Sequence, residues 1–93
     1  MLEKEIEKYL KDAVDNLGGR AYKFISPGQS GVPDRIIFLP GGKIYFVELK
    51  TEVGKLSKLQ RLQIHRFKKL GHEVKVLYGM EDVKEFINEI TTT

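Results

Sequence analysis

Apolar residues recur along the chain in two rhythms, one helical and one alternating, and together they outline seven elements. Leu2, Ile6, Tyr9, Leu10, Ala13 and Leu17 fall at helical spacing, so residues 2–17 are expected to form an amphipathic helix, ended by Gly18-Gly19. Arg20–Ile25 is aromatic and β-branched and predicts a short edge strand; Ser26 to Gly31, dense in turn formers, predicts a loop. Asp34–Leu39 and Ile44–Lys50 read as strands joined by the turn Pro40-Gly41-Gly42-Lys43, an antiparallel hairpin. Residues 51–56 lead, with Ser57 as candidate cap, into a helix over 57–70 that Gly71 stops. Glu73–Tyr78 predicts a fourth strand, Val83, Phe86, Ile87 and Ile90 a closing helix, and Thr91–Thr93 a frayed end.

This order is αβββαβα. A strand, helix and strand over 44–78 implies a right-handed crossover, which makes the third and fourth strands parallel. The expected fold is therefore α/β, a mixed four-stranded sheet flanked by helices.

Three positions, in two elements, break the pattern. Alternation puts Ile44, Phe46, Glu48 and Lys50 on one face of the third strand and Tyr45, Val47 and Leu49 on the other. Glu48 thus continues an apolar row, which is unusual for a carboxylate unless something there needs it. In helix 57–70 the apolar arc of Leu56, Leu59, Phe67 and Leu70, with Ile64 at its edge, also contains Gln60 and Gln63. Two amides are expected to point at the sheet, while Lys58, Arg61, His65, Lys68 and Lys69 gather on the opposite side.

Composition narrows the classes. Ninety-three residues suit one small domain, 1–93, and 41% hydrophobic with 31% charged residues is an ordinary globular balance. No apolar run approaches the roughly 18 residues of a spanning helix, and Met1 leads into an acidic helix rather than a secretory signal, so no membrane partner and a cytoplasmic location are expected. Cysteine is absent, which excludes disulfides, thiolate metal sites and Cys nucleophiles; a metal would be held by oxygen or imidazole. The net charge of +3 is modest, but its distribution is uneven. Residues 1–17 hold five acids against three lysines, whereas 55–69 hold Lys55, Lys58, Arg61, Arg66, Lys68 and Lys69 with no acid. On charge alone, that basic face suits either a nucleic acid or solvent.

Asp34, Glu48 and Lys50 carry the candidate chemistry. The hairpin brings the two carboxylate-bearing strand ends together, and Mg²⁺ takes such oxygen ligands, one or two carboxylates with water and substrate phosphate. Lys50, on the face of Glu48, could orient or deprotonate water and neutralise charge developing on a phosphate. The structural alternative is a turn cap at Asp34 and a same-face salt bridge between Glu48 and Lys50. At about 100° per residue Glu3 borders the apolar stripe of the first helix and could look across the core edge, with Glu5 and Glu7 nearby. Lys23 suits phosphate contact or a plain edge-strand position. Ser26 and Gln29 lie in the loop before Asp34, where substrate contact is plausible. Arg35 faces away from Asp34, which suits backbone contact or structural pairing. His65 and His72 lack zinc-site spacing and read as surface or helix-end residues. Gln63 suits either support of the site or a buried structural amide.

Pro33-Asp34 followed by Glu48-x-Lys50 resembles the PD-(D/E)xK nuclease signature. Gly31-Val32-Pro33-Asp34-Arg35, the Gly41-Gly42 turn, Val47-Glu48-Leu49-Lys50 and Leu56-Ser57-Lys58-Leu59-Gln60 are similar to stand-alone phage or bacterial virus-type replication-repair nuclease (VRR-NUC) domains, over about Glu3 to Ile90. That resemblance implies a restriction-endonuclease-like αβββαβ core with a C-terminal helix. It implies that Asp34, Glu48 and the backbone carbonyl of Leu49 hold Mg²⁺ or Mn²⁺, that Lys50 is the catalytic lysine, that Gln60 supports the site, and that a first-helix Glu, by the wheel Glu3, is an outer or water-mediated ligand. The implied activity is a metal-dependent, structure-selective DNA endonuclease without a small-molecule cofactor, acting on branched DNA like a Holliday-junction resolvase, in a bacterial or phage-infected cytoplasm. Lys23, Ser26, Gln29, Lys55, Lys58 and Arg61 are the candidate DNA contacts, tracking phosphates rather than reading bases. Paired cuts call for two sites in fixed relation, hence a homodimer, with Leu62 one candidate contact. The alternatives are a monomeric flap or nicking endonuclease and a non-catalytic nucleic-acid-binding module.

Overall fold

The computed structural model describes residues 3–92, so Met1, Leu2 and Thr93, and with them the start of the apolar stripe and the last residue of the frayed end, lie outside it. Seven elements follow in the expected order: α1 (Glu3–Asn16), β1 (Arg20–Lys23), β2 (Arg35–Leu39), β3 (Lys43–Lys50), α2 (Lys58–Lys69), β4 (Val74–Tyr78) and α3 (Gly79–Thr91). The sheet order is β1-β2-β3-β4, with antiparallel β1/β2 and β2/β3 pairs and a parallel β3/β4 pair. The hairpin and the parallel β3/β4 pair are both as their sequence patterns require.

Alternation on the strands builds two unlike layers. Ile37, Val47, Leu49 and Leu77 point to one face, where Ile6, Leu10 and Val14 of α1 and Val83, Phe86 and Ile90 of α3 complete the main core. Tyr45 joins them through an edge-on contact with Phe86, ring centroids 5.4 Å apart. The other face carries Phe24 and Phe46 under Phe67 of α2, with the Phe46 and Phe67 rings 4.9 Å apart and nearly perpendicular. His72, just beyond α2, stacks its edge on the same group, 5.5 Å from Phe46.

The differences from the sequence pattern are local. β1 stops at Lys23, not Ile25, because the next backbone bond, Phe24 N–H to the Asp34 carbonyl at 2.9 Å, is the last before the chain turns away. β2 starts one residue late, leaving Asp34 at its mouth behind Pro33. α3 runs through Thr91, whose hydroxyl donates to the Ile87 carbonyl at 2.6 Å, so this residue extends the helix instead of fraying. Helix α2 is rotated from the expected apolar face: Leu59 and Leu70 are 53% and 76% exposed, and Gln63 and Ile64 are buried. Hydrogen bonding decides that rotation, since the Gln63 amide donates to the Ser30 carbonyl at 3.3 Å and Gln60 also finds an acceptor below the helix.

The loop before β2 is pressed against the start of α2. Gly31 has φ +88°, and a Cβ there would lie 2.6 Å from the Leu59 carbonyl carbon and 2.7 Å from its oxygen. Both the left-handed backbone and the contact between two main chains require glycine. Gly31→Ala is expected to cost about 2 kcal/mol or more, which in a domain of this size lowers Tm by roughly 10 °C. Thermal unfolding followed by circular dichroism measures it; an unchanged Tm would mean that the loop does not pack on α2.

Candidate active site

The mouth of the β2/β3 hairpin holds two carboxylates. Asp34 is fixed from both ends, its carbonyl by Phe24 N–H and its Oδ1 by the Leu49 N–H at 3.2 Å. Glu48, one residue earlier on β3, has its side chain on the opposite face from Leu49 and is only 4% exposed. Its Oε2 accepts from Gln60 Nε2 at 3.0 Å and lies 3.7 Å from Lys50 Nζ. Asp34, Glu48 and Lys50 of β3, and Gln60 of α2, from three separate stretches of the chain, thus converge at one rim of the sheet.

Gln60 is oriented by the start of its own helix. Ser57 is the N-cap: its Oγ accepts from the Gln60 N–H at 3.1 Å, and its own N–H donates to Gln60 Oε1 at 2.9 Å. An amide has one acceptor end and one donor end. With the oxygen taken by Ser57, the NH₂ is the end that faces Glu48.

Burial and mutual repulsion set the charge state. Desolvation raises the Asp34 pKa, opposed mainly by the Leu49 N–H. Glu48 is pushed up to about 7, first by burial and then by the negative charge of Asp34, with Lys50 acting in the other direction. Two repelling carboxylates are the kind of oxygen donors a hard divalent cation takes, and its charge would relieve both causes of the shift. Among the described residues no group of three or more His, Cys, Asp or Glu side chains is gathered as a metal cluster.

From the first helix, Glu3 is exposed in the first turn of α1. Glu7 places Oε1 2.8 Å from Arg35 Nη2. Arg35 is buried, its Nη1 donates to the Asp34 carbonyl at 3.1 Å and stands 3.9 Å from Asp34 Oδ2, and the charge of Glu7 helps raise the Asp34 pKa. A helical wheel gives angle but not height. Glu7 stands one turn further along the axis, about 6 Å, and that is where Arg35 emerges. The signal available in the sequence was Arg35 itself, a cation alternating onto the α1 face.

Lys23 is exposed at the end of β1, in register with Arg35. Ser26 is half-buried and Gln29 exposed, closing a turn through Gln29 N–H to the Ser26 carbonyl at 3.0 Å. Lys55, Lys58 and Arg61 are exposed, the last two on either side of Gln60 in sequence. Gln63 is the structural amide, tied to Ser30 rather than to Glu48.

A carboxyl whose pKa is higher folded than unfolded binds protons more tightly in the native state, so its contribution to stability is greatest at low pH and is lost as pH rises to the folded value. For Glu48 the window runs from its ordinary value of 4.5 to about 7. The metal-free protein is expected to lose about 1–3 kcal/mol from this group between pH 4.5 and 7.5. Glu48→Gln should flatten that part of the profile and melt above the wild type at pH 8 in EDTA; equal pH dependence in the two proteins would show that Glu48 is not strained.

Comparison with known proteins follows the same lines. The profile of the VRR-NUC domain matches residues 2–81. A protein of Acyrthosiphon pisum secondary endosymbiont phage 1, named "Putative nuclease p44", is 51% identical over 75 residues, covering 81% of this chain and 81% of that protein. A solved structure described as "VRR_NUC domain" superposes with a TM-score of 0.87 at 37% identity, over 92% of this chain and 94% of the other. A second, "VRR_NUC domain protein", shares the fold with a TM-score of 0.74 at 16% identity, over 96% and 87% of the two chains. A family match across most of the chain, together with an arrangement that gathers its Pro-Asp and Glu-x-Lys residues at one rim, leads to one assignment: the chain belongs to the VRR-NUC domain family.

Proposed function

We propose that this nuclease-family domain is a divalent-metal-dependent endonuclease that hydrolyses phosphodiester bonds in branched DNA, acting as a homodimer in the cytoplasm. The observation that carries the reading is the buried carboxylate of Glu48 held by Gln60 and Lys50 beside Asp34. A strand end that only needed a salt bridge would not bury a carboxylate and then raise its pKa with a second one.

Asp34, Glu48 and the Leu49 carbonyl would hold Mg²⁺ or Mn²⁺. When bound, such an ion supplies positive charge against the phosphate and acidifies water. The chain's own groups do the rest. Gln60 keeps one Glu48 oxygen engaged, which leaves the other for the ion. The Lys50 ammonium offsets negative charge on the phosphate as a water oxygen bonds to phosphorus and the bond to the leaving ester oxygen breaks. The water proton passes to a basic group or to solvent, and the leaving oxygen takes one up as a hydroxyl. Lys55, Lys58 and Arg61 are basic, exposed and close in sequence to Gln60, which suits contact with phosphates rather than bases. Two such sites in a two-fold pair would cut opposing strands of a junction; Leu62, 42% exposed on α2, is available to that contact.

Cleavage of labelled four-way junction, flap, single-stranded and linear duplex DNA with Mg²⁺ or Mn²⁺ tests the reading. The junction should be cut symmetrically, and Asp34→Ala and Lys50→Ala should each lose at least about 10²-fold in rate, with Gln60→Leu losing about 10-fold or more. Single incisions by a protein of monomer mass would select the flap or nicking alternative; no cutting by a folded protein would select a binding module. Independently of turnover, millimolar Mg²⁺ or Mn²⁺ should raise Tm by several degrees at pH 8, less at pH 5.5 where Glu48 is protonated, and not at all in Asp34→Asn. Equal Tm with metal and with EDTA at pH 8 would remove the metal from the proposal.

A further inference from the structure

A cleft of about 480 Å³ opens between α1 and β1, reaching Arg35, the residue after Asp34, on the other face of the sheet from α2. Lys4, Lys8, Lys11, Lys23 and Arg35 line it together with one acid, Glu7. Glu7 is taken up by Arg35 at 2.8 Å, so it does not cancel the lysines. Lys8 and Lys11 are drawn along the outer surface of α1 by Asp12 and Asp15, at 2.6 and 3.0 Å. Among the described residues neither Lys4 nor Lys23 is in an ion pair. Leu10 and Ala21 are its apolar lining, which makes a basic groove with an apolar floor.

The groove is joined to the candidate site by covalent and hydrogen-bonded steps. Lys23 is paired in register with Arg35, the residue after Asp34, and its chain neighbour Phe24 donates to the Asp34 carbonyl. Arg35 lines the groove and bonds the same carbonyl. A polyanion led to two carboxylates meets repulsion there and needs cations on each side of them. Lys55, Lys58 and Arg61 lie on the α2 side; on the α1 side the cations are those of the groove.

We infer that the α1–β1 groove is a second nucleic-acid subsite, which takes the phosphodiester backbone of one strand beyond the bond being cut, with Lys4 and Lys23 as its phosphate contacts. This rests on the nuclease reading. The lysine stems and the Leu10–Ala21 floor face the sugars, the ammonium groups face the phosphates, and nothing in the groove reads a base. Glu7 and Arg35, locked together, give the groove a fixed wall that also fixes its distance from Asp34.

The test uses the full chain carrying Asp34→Asn, so that DNA is bound and not cut. Fluorescence anisotropy with a labelled four-way junction, across salt concentrations, compares this protein with one that also carries Lys4→Gln and Lys23→Gln. A third protein carries Lys75→Gln and Lys84→Gln, removing the same charge from the α3 side. The groove variant is expected to bind about tenfold more weakly, with the slope of log K against log salt reduced by about 2, and the charge-matched control to keep the parent slope. Melting curves confirm that all three are folded. If the groove variant and the control have the same slope while the wild-type chain cuts DNA, the subsite is wrong and the nuclease reading stands. If the wild-type chain neither binds nor cuts any DNA, both are wrong.

Discussion

A carboxylate buried at the rim of a sheet is the constraint to which the rest of this structure answers. Glu48 sits where alternation would place an apolar side chain, and Asp34 adds a second negative charge beside it. Burying such a group without partners would cost several kcal/mol, so the fold surrounds it with donors. Lys50 comes from the same strand, two residues on. Gln60 comes from a helix that the chain reaches only after a loop, and its amide is turned the right way by the Ser57 cap. The N-terminal cap of α2, ordinarily a local device for satisfying backbone N–H groups, here also sets the polarity of a side chain at the site.

That dependence explains why α2 sits as it does. Exposing Leu59 and Leu70 while turning two glutamines inward forfeits apolar burial. Gln60 and Gln63 compensate by tying the helix to both sides of the site, one to Glu48 and the other to the loop that delivers Asp34. The main core on the opposite face, with α1 and α3, follows ordinary rules of apolar packing. Stability is concentrated on one face of the sheet and chemistry on the rim of the other. A substitution in the α1/α3 core should therefore act on folding, and one in α2 on the site as well.

Arg35 connects the two faces. As a buried cation it needs a partner, and Glu7 of α1 supplies one on its own face of the sheet, while its other nitrogen holds the Asp34 main chain. The first helix thus reaches Asp34 through an arginine. It also lends the lysines that leave positive charge beside a site that is itself negative.

The elements, their order, the hairpin and the parallel crossover were legible in the sequence, because hydrophobic period, glycine and proline positions and connection lengths are local signals. So was the oddity of Glu48, since alternation alone showed a carboxylate in an apolar row, and so were the two amides of α2. The family resemblance was carried by short contiguous motifs around Asp34, Glu48 and Ser57 and needed no geometry. Tertiary structure decided what depends on height along a helix and on rotation about its axis. A wheel records angle only and could not foresee that Arg35 emerges at the height of Glu7, which pairs with it. Apolar counting placed Leu59 and Leu70 inward, but hydrogen bonds from Gln60 and Gln63 to groups 12 and 33 residues away turned them out. Interactions over such separations have no period in the sequence, and only the closed fold determines which partners are within reach.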